Sequence, residues 1–156
     1  MIKDSGNRTD FGGAVRDIQE GKGRCDLLPL DIVADLTDSK ILRNISRFQE
    51  SGDVNFLAQA LGLFAERIDI DPSTMFLETA IHFEEGCQKY GENNWRAGKG
   101  IPAYSYINSA VRHYLKWIRG DEDERHDRAF CWNIICCMWT CEHKPENNSY
   151  MRKEES

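Results

Sequence analysis

The chain has no run of 18 apolar residues, so nothing in it reads as a membrane-spanning helix. Its first residues, Met-Ile-Lys-Asp-Ser-Gly, carry no apolar signal core, and a cytoplasmic protein is expected. Positive charge is not in excess: Lys and Arg number 20 against 26 Asp and Glu, a net charge of -6. That argues against a duplex nucleic-acid binder, which normally shows a basic face, but leaves room for a local basic pocket for a small anion. The six cysteines form no Cys-x-x-Cys pair. Cys131, Cys136, Cys137 and Cys141 fall together in one apolar stretch without paired His ligands, and in a reducing compartment they read as small buried hydrophobes rather than zinc ligands. Alternating apolar and polar runs of useful strand length are missing, as are internal repeats, so the fold class expected is all-α. At 156 residues the chain is sized for one domain with a real core.

What is present is helical periodicity. Residues 1–26 are polar and glycine-rich and read as an ordered arm, with Lys22 and Arg24 set among glycines. Helices are expected over about 27–36, with Pro29 in the first turn, then over 38–50 and 54–68. Ser73 is placed to cap a longer helix reaching Tyr90 and stopping at Gly91. A polar, aromatic loop spans 91–102. Helices over 103–119, ending before Gly120, and over 123–141 complete the bundle. Residues 1–142 are the expected domain, and 143–156 read as a flexible charged tail.

The stretch from Phe83 to Trp95, Phe-Glu-Glu-Gly-Cys-Gln-Lys-Tyr-Gly-Glu-Asn-Asn-Trp, carries the chemistry. On the 73–90 helix Phe76, Ala80, Phe83, Cys87 and Tyr90 share an apolar face, and Glu78, His82, Glu85 and Lys89 line the other side. Glu84 lies at the edge of the apolar face, where a carboxylate is costly unless it meets a cation. Glu84 is therefore the first metal-ligand candidate and Glu85 the second. On the 103–119 helix Tyr104, Ile107, Val111, Tyr114, Leu115 and Ile118 form an apolar set, and Asn108, Arg112, Lys116 and Arg119 form a separate stripe. That stripe is either a solvated basic face or a cation row for phosphates, with Arg112, beside His113, the best placed. The last helix opens on an acidic segment containing Asp123, Glu124, His126 and Asp127. It is apolar nearly all round afterwards, except for Asn133, whose amide needs partners if buried. Asp123 and Glu124 also suit a helix N-terminus on dipole grounds alone.

Four motifs, Gly21-Lys-Gly-Arg-Cys-Asp-Leu-Leu-Pro29, His82 through Trp95, Ser109-Ala-Val-Arg-His113 and Trp132-Asn133, together resemble the phage-associated dATP/dGTP diphosphohydrolases, a MazG-like family that includes the MazZ enzymes. The resemblance covers about 13–36 and 74–142, and leaves 37–73 as a possible insertion. It implies a MazG-like helical bundle, dimeric or larger, that hydrolyses a purine deoxynucleoside triphosphate, dGTP or dATP, to the monophosphate and pyrophosphate with Mg²⁺ or Mn²⁺. Phage nucleotide-pool control, or 2-aminoadenine DNA synthesis in a host cytoplasm, would be the setting. Glu84 and Glu85 would be catalytic. Metal ligands would come from Glu84, Glu85, Asp123, His126 and Asp127, although Gln88 stands where MazG proteins carry a third Glu. Lys22, Arg24, Lys89 and Arg112 would hold phosphates. Trp95 or Trp132 would stack on the base, Asn94 would read its edge, and His113 and Asn133 complete the substrate-binding set. Two other readings stand beside it. His126-Asp127 is an HD dipeptide, but four histidines and no later Asp cannot complete that metal set. A non-enzymatic helical binding module is the other.

Overall fold

Six helices and one small hairpin make up the computed structural model, which describes residues 4–151. In chain order these are β1 (Arg8–Asp10), β2 (Val15–Asp17), α1 (Leu30–Thr37), α2 (Lys40–Ser51), α3 (Asn55–Arg67), α4 (Pro72–Tyr90), α5 (Ala103–Arg119) and α6 (His126–His143). The all-α expectation holds, and the helix stops at Gly91 and Gly120 fall where the sequence puts them. Two starts differ. The α4 cap is Asp71, whose carboxylate accepts from the Ser73 N–H at 2.8 Å, with Pro72 filling the first helical position. The last helix begins at His126, so Asp123 and Glu124 belong to the preceding loop.

Helix α6 is central, packing most heavily on α5 and also on α4 and α3, while α2 packs on α3 and α1 on α2. Its near-uniform apolarity accounts for that position: Phe130, Ile134, Cys136 and Cys137 are fully buried, and Cys131 and Cys141 nearly so. Burial pushes the Cys131 thiol up to about 12 and raises Cys136 and Cys137 as well, so these cysteines pack as apolar groups. The segment 37–73, unmatched in the sequence reading, is integral to the core. Leu42, Ile45 and Phe48 from α2 and Leu57 and Phe64 from α3 have no exposed surface. Phe64 meets Phe130 of α6 with ring centroids 4.5 Å apart.

Three expectations are corrected. The glycine-rich arm is a two-stranded antiparallel hairpin with Arg8 opposite Asp17 and Asp10 opposite Val15. Its Gly12-Gly13 turn lies against the 97–100 loop. A Cβ at Gly98, whose φ is +54°, would sit 2.0 Å from the Gly12 carbonyl oxygen, so only glycine allows that approach. The expected flexible tail is docked as far as Met151. Asn148 is buried and donates to the Gly52 carbonyl at 2.9 Å, and Tyr150 meets Phe48 edge-on at 5.3 Å. Residues 152–156 of that tail lie outside the described residues. Finally, α4 is rolled relative to the expected face. Met75 and Thr79 are its buried residues, while Phe76, Leu77 and Ile81 are 51%, 72% and 36% exposed, because neighbouring helices cover only one side of it.

Candidate functional site

A cavity of about 870 Å³ opens between the hairpin, α4, the 91–95 loop, α5 and the loop before α6. That volume is in the range of ordinary small-molecule sites. Its wall on one side is aromatic. Phe83 and Trp132 have ring centroids 5.9 Å apart, and Phe83 and Trp95 are 6.1 Å apart. Trp132 and Tyr106 meet edge-on behind them.

The opposite side is cationic, and its main member lies in the hairpin. Arg16 reaches from β2 across the cavity floor and donates to Ser105 Oγ at 3.1 Å, Ser109 Oγ at 2.9 Å and Asn133 Oδ1 at 3.2 Å, with its guanidinium 5.6 Å from the Tyr106 ring centre. Arg112, mid-α5 and 8% exposed, donates to Gln19 Oε1 at 2.9 Å, the Gly23 carbonyl at 2.7 Å and Asn108 Oδ1 at 2.9 Å. Its Nε is buried without a partner. Among the described residues every hydrogen-bond acceptor of these two arginines is neutral. Burial depresses both guanidinium pKa values, and the charge of Arg112 presses further on Arg16. Two desolvated cations held by neutral groups at the floor of a cavity form a seat for a polyanion. Lys22, Lys116 and Arg119 add positive charge at the rim, with Lys22 3.1 Å from Asp17.

The cavity's far end is built from imidazole and carboxylate. Half-buried His113 of α5 and buried His126 of α6 meet Nδ1 to Nδ1 at 2.9 Å, and His126 Nε2 lies 2.7 Å from Asp123 Oδ1. Ligand atoms of His113, Glu124 and His126 all lie within 4.8 Å of one another, as do those of Asp121, Asp123 and His126. Burial, then the neighbouring His126, lowers the His113 pKa well below the usual imidazole value. Burial also takes His82, on the α4 wall, down to about 4.

The residues singled out in the sequence divide accordingly. Glu84, Asn94, Trp95, Lys22, Arg112, His113 and Asn133 line the cavity. Glu84 does so from the exposed side of α4, so the inward lean expected of it is corrected: that helix face is uncovered. Glu85 is half-buried beside His82, whose charged form it favours, and is not among the lining residues. Asp127 is held by Arg125, at 2.9 and 3.1 Å, in a surface network that continues to Glu78 and Arg128, again outside the lining. Arg24 is engaged with Asp26 at 2.7 and 2.8 Å and over the Tyr104 ring, and Lys89 lies 3.8 Å from Asp4. Asn94 uses its amide on the backbone of Val15 and so pins β2. Asn133, through Arg16, positions the cation rather than facing the cavity alone. Lys116 and Arg119 of the expected cation row line the cavity too, whereas Arg16 and Gln19 are site residues that the sequence reading does not mark. Arg16 carries no local mark, since its partners lie about 90 and more residues away.

No helix among the described residues is long and apolar enough to cross a membrane. No curated protein and no solved structure matches the chain. Residues 61–150 match the family model described as dATP/dGTP diphosphohydrolase, N-terminal, a stretch that takes in part of the presumed insertion and most of the presumed tail. With more than half its length matched, the chain belongs to the dATP/dGTP diphosphohydrolase family.

Proposed function

We propose that this protein hydrolyses dATP or dGTP to the monophosphate and pyrophosphate within the 870 Å³ cavity. The observation that carries this reading is the pair Arg16 and Arg112, two partly desolvated cations whose hydrogen-bond acceptors are all neutral, to which a triphosphate would bring direct anionic partners. The aromatic wall of Phe83, Trp95 and Trp132 takes the purine face by stacking. The base therefore lies toward α4 and the phosphates toward the hairpin and α5.

A hydrolase of this kind needs a divalent cation, and Glu84, an oxygen donor lining the cavity, would help to hold one together with phosphate oxygens. Mg²⁺ or Mn²⁺ there would supply charge neutralisation and an oriented water. Glu84 and Glu85 are the acidic pair we assign to the reaction. Glu84 accepts the proton of the attacking water, and Glu85 contributes negative charge beside His82. Arg16 and Arg112 stabilise the negative charge that builds on the phosphates as the α–β bridge breaks. We also propose that the chain works as a homo-oligomer. Phe76, Leu77 and Ile81 make an uncovered apolar stripe on α4 that runs into Glu84, and a second copy laid along it shields both.

The test is product identification after incubation with each dNTP and Mg²⁺ or Mn²⁺. Monophosphate plus pyrophosphate from dATP or dGTP is expected, and Glu84→Gln is expected to abolish it without lowering the melting temperature. Full activity in Glu84→Gln, or release of inorganic triphosphate, would overturn the proposal.

A further inference from the structure

The geometry points to a second kind of metal site at the cavity's far end: a divalent transition ion bound by His113 Nδ1, His126 Nδ1 and the Glu124 carboxylate, with Asp123 orienting His126. It stands on side-chain geometry and does not require the hydrolase reading.

Four features support it. First, the Nδ1 atoms of two imidazoles from different helices lie 2.9 Å apart, and ligand atoms of His113, His126 and Glu124 all lie within 4.8 Å of one another. Second, Asp123 Oδ1 lies 2.7 Å from His126 Nε2. A carboxylate accepts, so Nε2 carries the proton and Nδ1 presents a lone pair toward His113. Carboxylate–histidine–metal arrangements fix a ligating ring in this way. Third, the imidazoles are anchored from below, since α5 and α6 form the most heavily packed pair in the fold and His126 is 2% exposed. Fourth, the group opens onto solvent through the cavity, which gives an ion an entry path, as both His113 and Glu124 line it.

The ligand set also selects the metal: two imidazoles and a carboxylate suit a divalent transition ion such as Mn²⁺, Co²⁺ or Zn²⁺. Two imidazoles disfavour Mg²⁺, whose ligands are oxygen. Without metal, the same contact is an N–H···N hydrogen bond, in which His113 Nδ1–H donates to His126 Nδ1. Metal binding then requires His113 to move that proton to its own Nε2 through solvent, a tautomer change with no net proton released.

The experiment uses the full chain, stripped with chelator and dialysed, with no nucleotide present. Mn²⁺, Co²⁺, Zn²⁺ and Mg²⁺ are each titrated alone, binding is followed by equilibrium dialysis, and the Mn²⁺ sample is read by pulsed electron paramagnetic resonance for nitrogen couplings. One equivalent of Mn²⁺ or Co²⁺ per chain is expected, bound at least tenfold more tightly than Mg²⁺, with two coupled imidazole nitrogens. His113→Ala and His126→Ala should each abolish the nitrogen-coupled site. Asp123→Asn should weaken it by roughly 10- to 100-fold. Because His126 is buried, a His113→Gln variant whose metal-free melting temperature matches wild type guards against unfolding as the cause. Absence of nitrogen coupling, preference for Mg²⁺, or binding unchanged in His113→Gln would overturn the proposal. Because the readout is the metal alone, a missing dNTP activity would leave the result standing, and a failed metal site would leave the diphosphohydrolase reading intact.

Discussion

Replacing Arg16 by Met separates a cation kept for a ligand from one kept for the fold. In the wild type the guanidinium is held by Ser105, Ser109 and Asn133 and is backed by the Tyr106 ring. Methionine fills much of that volume, and both serine hydroxyls can rotate to other acceptors, Ser109 already reaching Gln19 Oε1 at 3.2 Å. Asn133 keeps its bond from Nδ2 to the Ala129 carbonyl at 2.8 Å and loses only the partner of Oδ1. One orphaned acceptor costs about 1–3 kcal/mol. Removing a desolvated charge that has no carboxylate offsets a similar amount. The metal- and nucleotide-free variant should therefore melt within about 5 °C of wild type, given roughly 2–4 °C per kcal/mol at this chain length.

Function should move far more. A hydrogen bond from a charged donor to phosphate is worth about 1.5–3 kcal/mol, so losing one should reduce kcat/KM for dATP or dGTP by roughly 10- to 150-fold. Arg16→Lys should recover part of that loss, since it restores charge without the planar fork. The assays are a thermal melt of the ligand-free protein and initial-rate kinetics on the same preparations. A fall of more than about 10 °C with kcat/KM within twofold of wild type would refute the reasoning and make Arg16 a structural cation.

Gly98→Ala should cost about 2 kcal/mol or more, because the new Cβ meets the Gly12 carbonyl oxygen at 2.0 Å and φ is positive; calorimetry should show this, with turnover lost as the hairpin carrying Arg16 is displaced. Truncation after Asn147 should lower the melting temperature by roughly 4–12 °C, since it removes the Asn148–Gly52 hydrogen bond and the Tyr150–Phe48 contact; a flexible tail would give no change. Leu77→Asp should convert any oligomer to monomer in sedimentation while leaving helicity unchanged. His82 has a folded-state pKa of about 4, below the usual 6.5, so the unfolded chain takes up its proton first. Stability should fall as pH drops from about 6.5 to 4 and level off below, by about 3 kcal/mol from this residue, with His113 adding in the same direction. His82→Phe in metal-free protein should flatten that slope in urea melts.

The helices α4, α5 and α6 were legible in the sequence because their stops and periodicity are local: Gly91 and Gly120 end two of them, and an almost unbroken apolar run places the third at the centre. The hairpin was not. Each strand has three residues, too few for alternation to register, and what holds them is remote: Asn94 on Val15, and Gly98 beneath Gly12. The same remoteness hid Arg16. Glycine neighbours drew attention to Lys22 and Arg24 instead, yet Arg24 is engaged with Asp26 two residues away. His113 and His126 were each marked, but nothing local said that two helices would bring their Nδ1 atoms to 2.9 Å. A helical wheel places Glu84 at the edge of a covered apolar face, but among the described residues nothing covers Phe76, Leu77 and Ile81 on that side of α4.

The chain therefore carries two features that are unfavourable in isolation, and they point in different directions. Arg16 and Arg112 hold positive charge out of water on neutral partners, and α4 shows Phe76, Leu77 and Ile81 to solvent. Neither is repaired by moving a side chain. The arginines are fixed by hydrogen bonds to α5, α6 and the segment after β2, and the α4 stripe lies on the side away from α6. A polyanion relieves the first and an apolar surface the second, so the two should respond independently. Pyrophosphate or a dNTP should raise the melting temperature of Leu77→Asp as much as that of wild type, by RT ln(1 + [L]/Kd). If Leu77→Asp instead loses that ligand shift, the anion seat is completed across the oligomer, and Glu84, which lies where the stripe meets the cavity mouth, is the residue through which the two are joined.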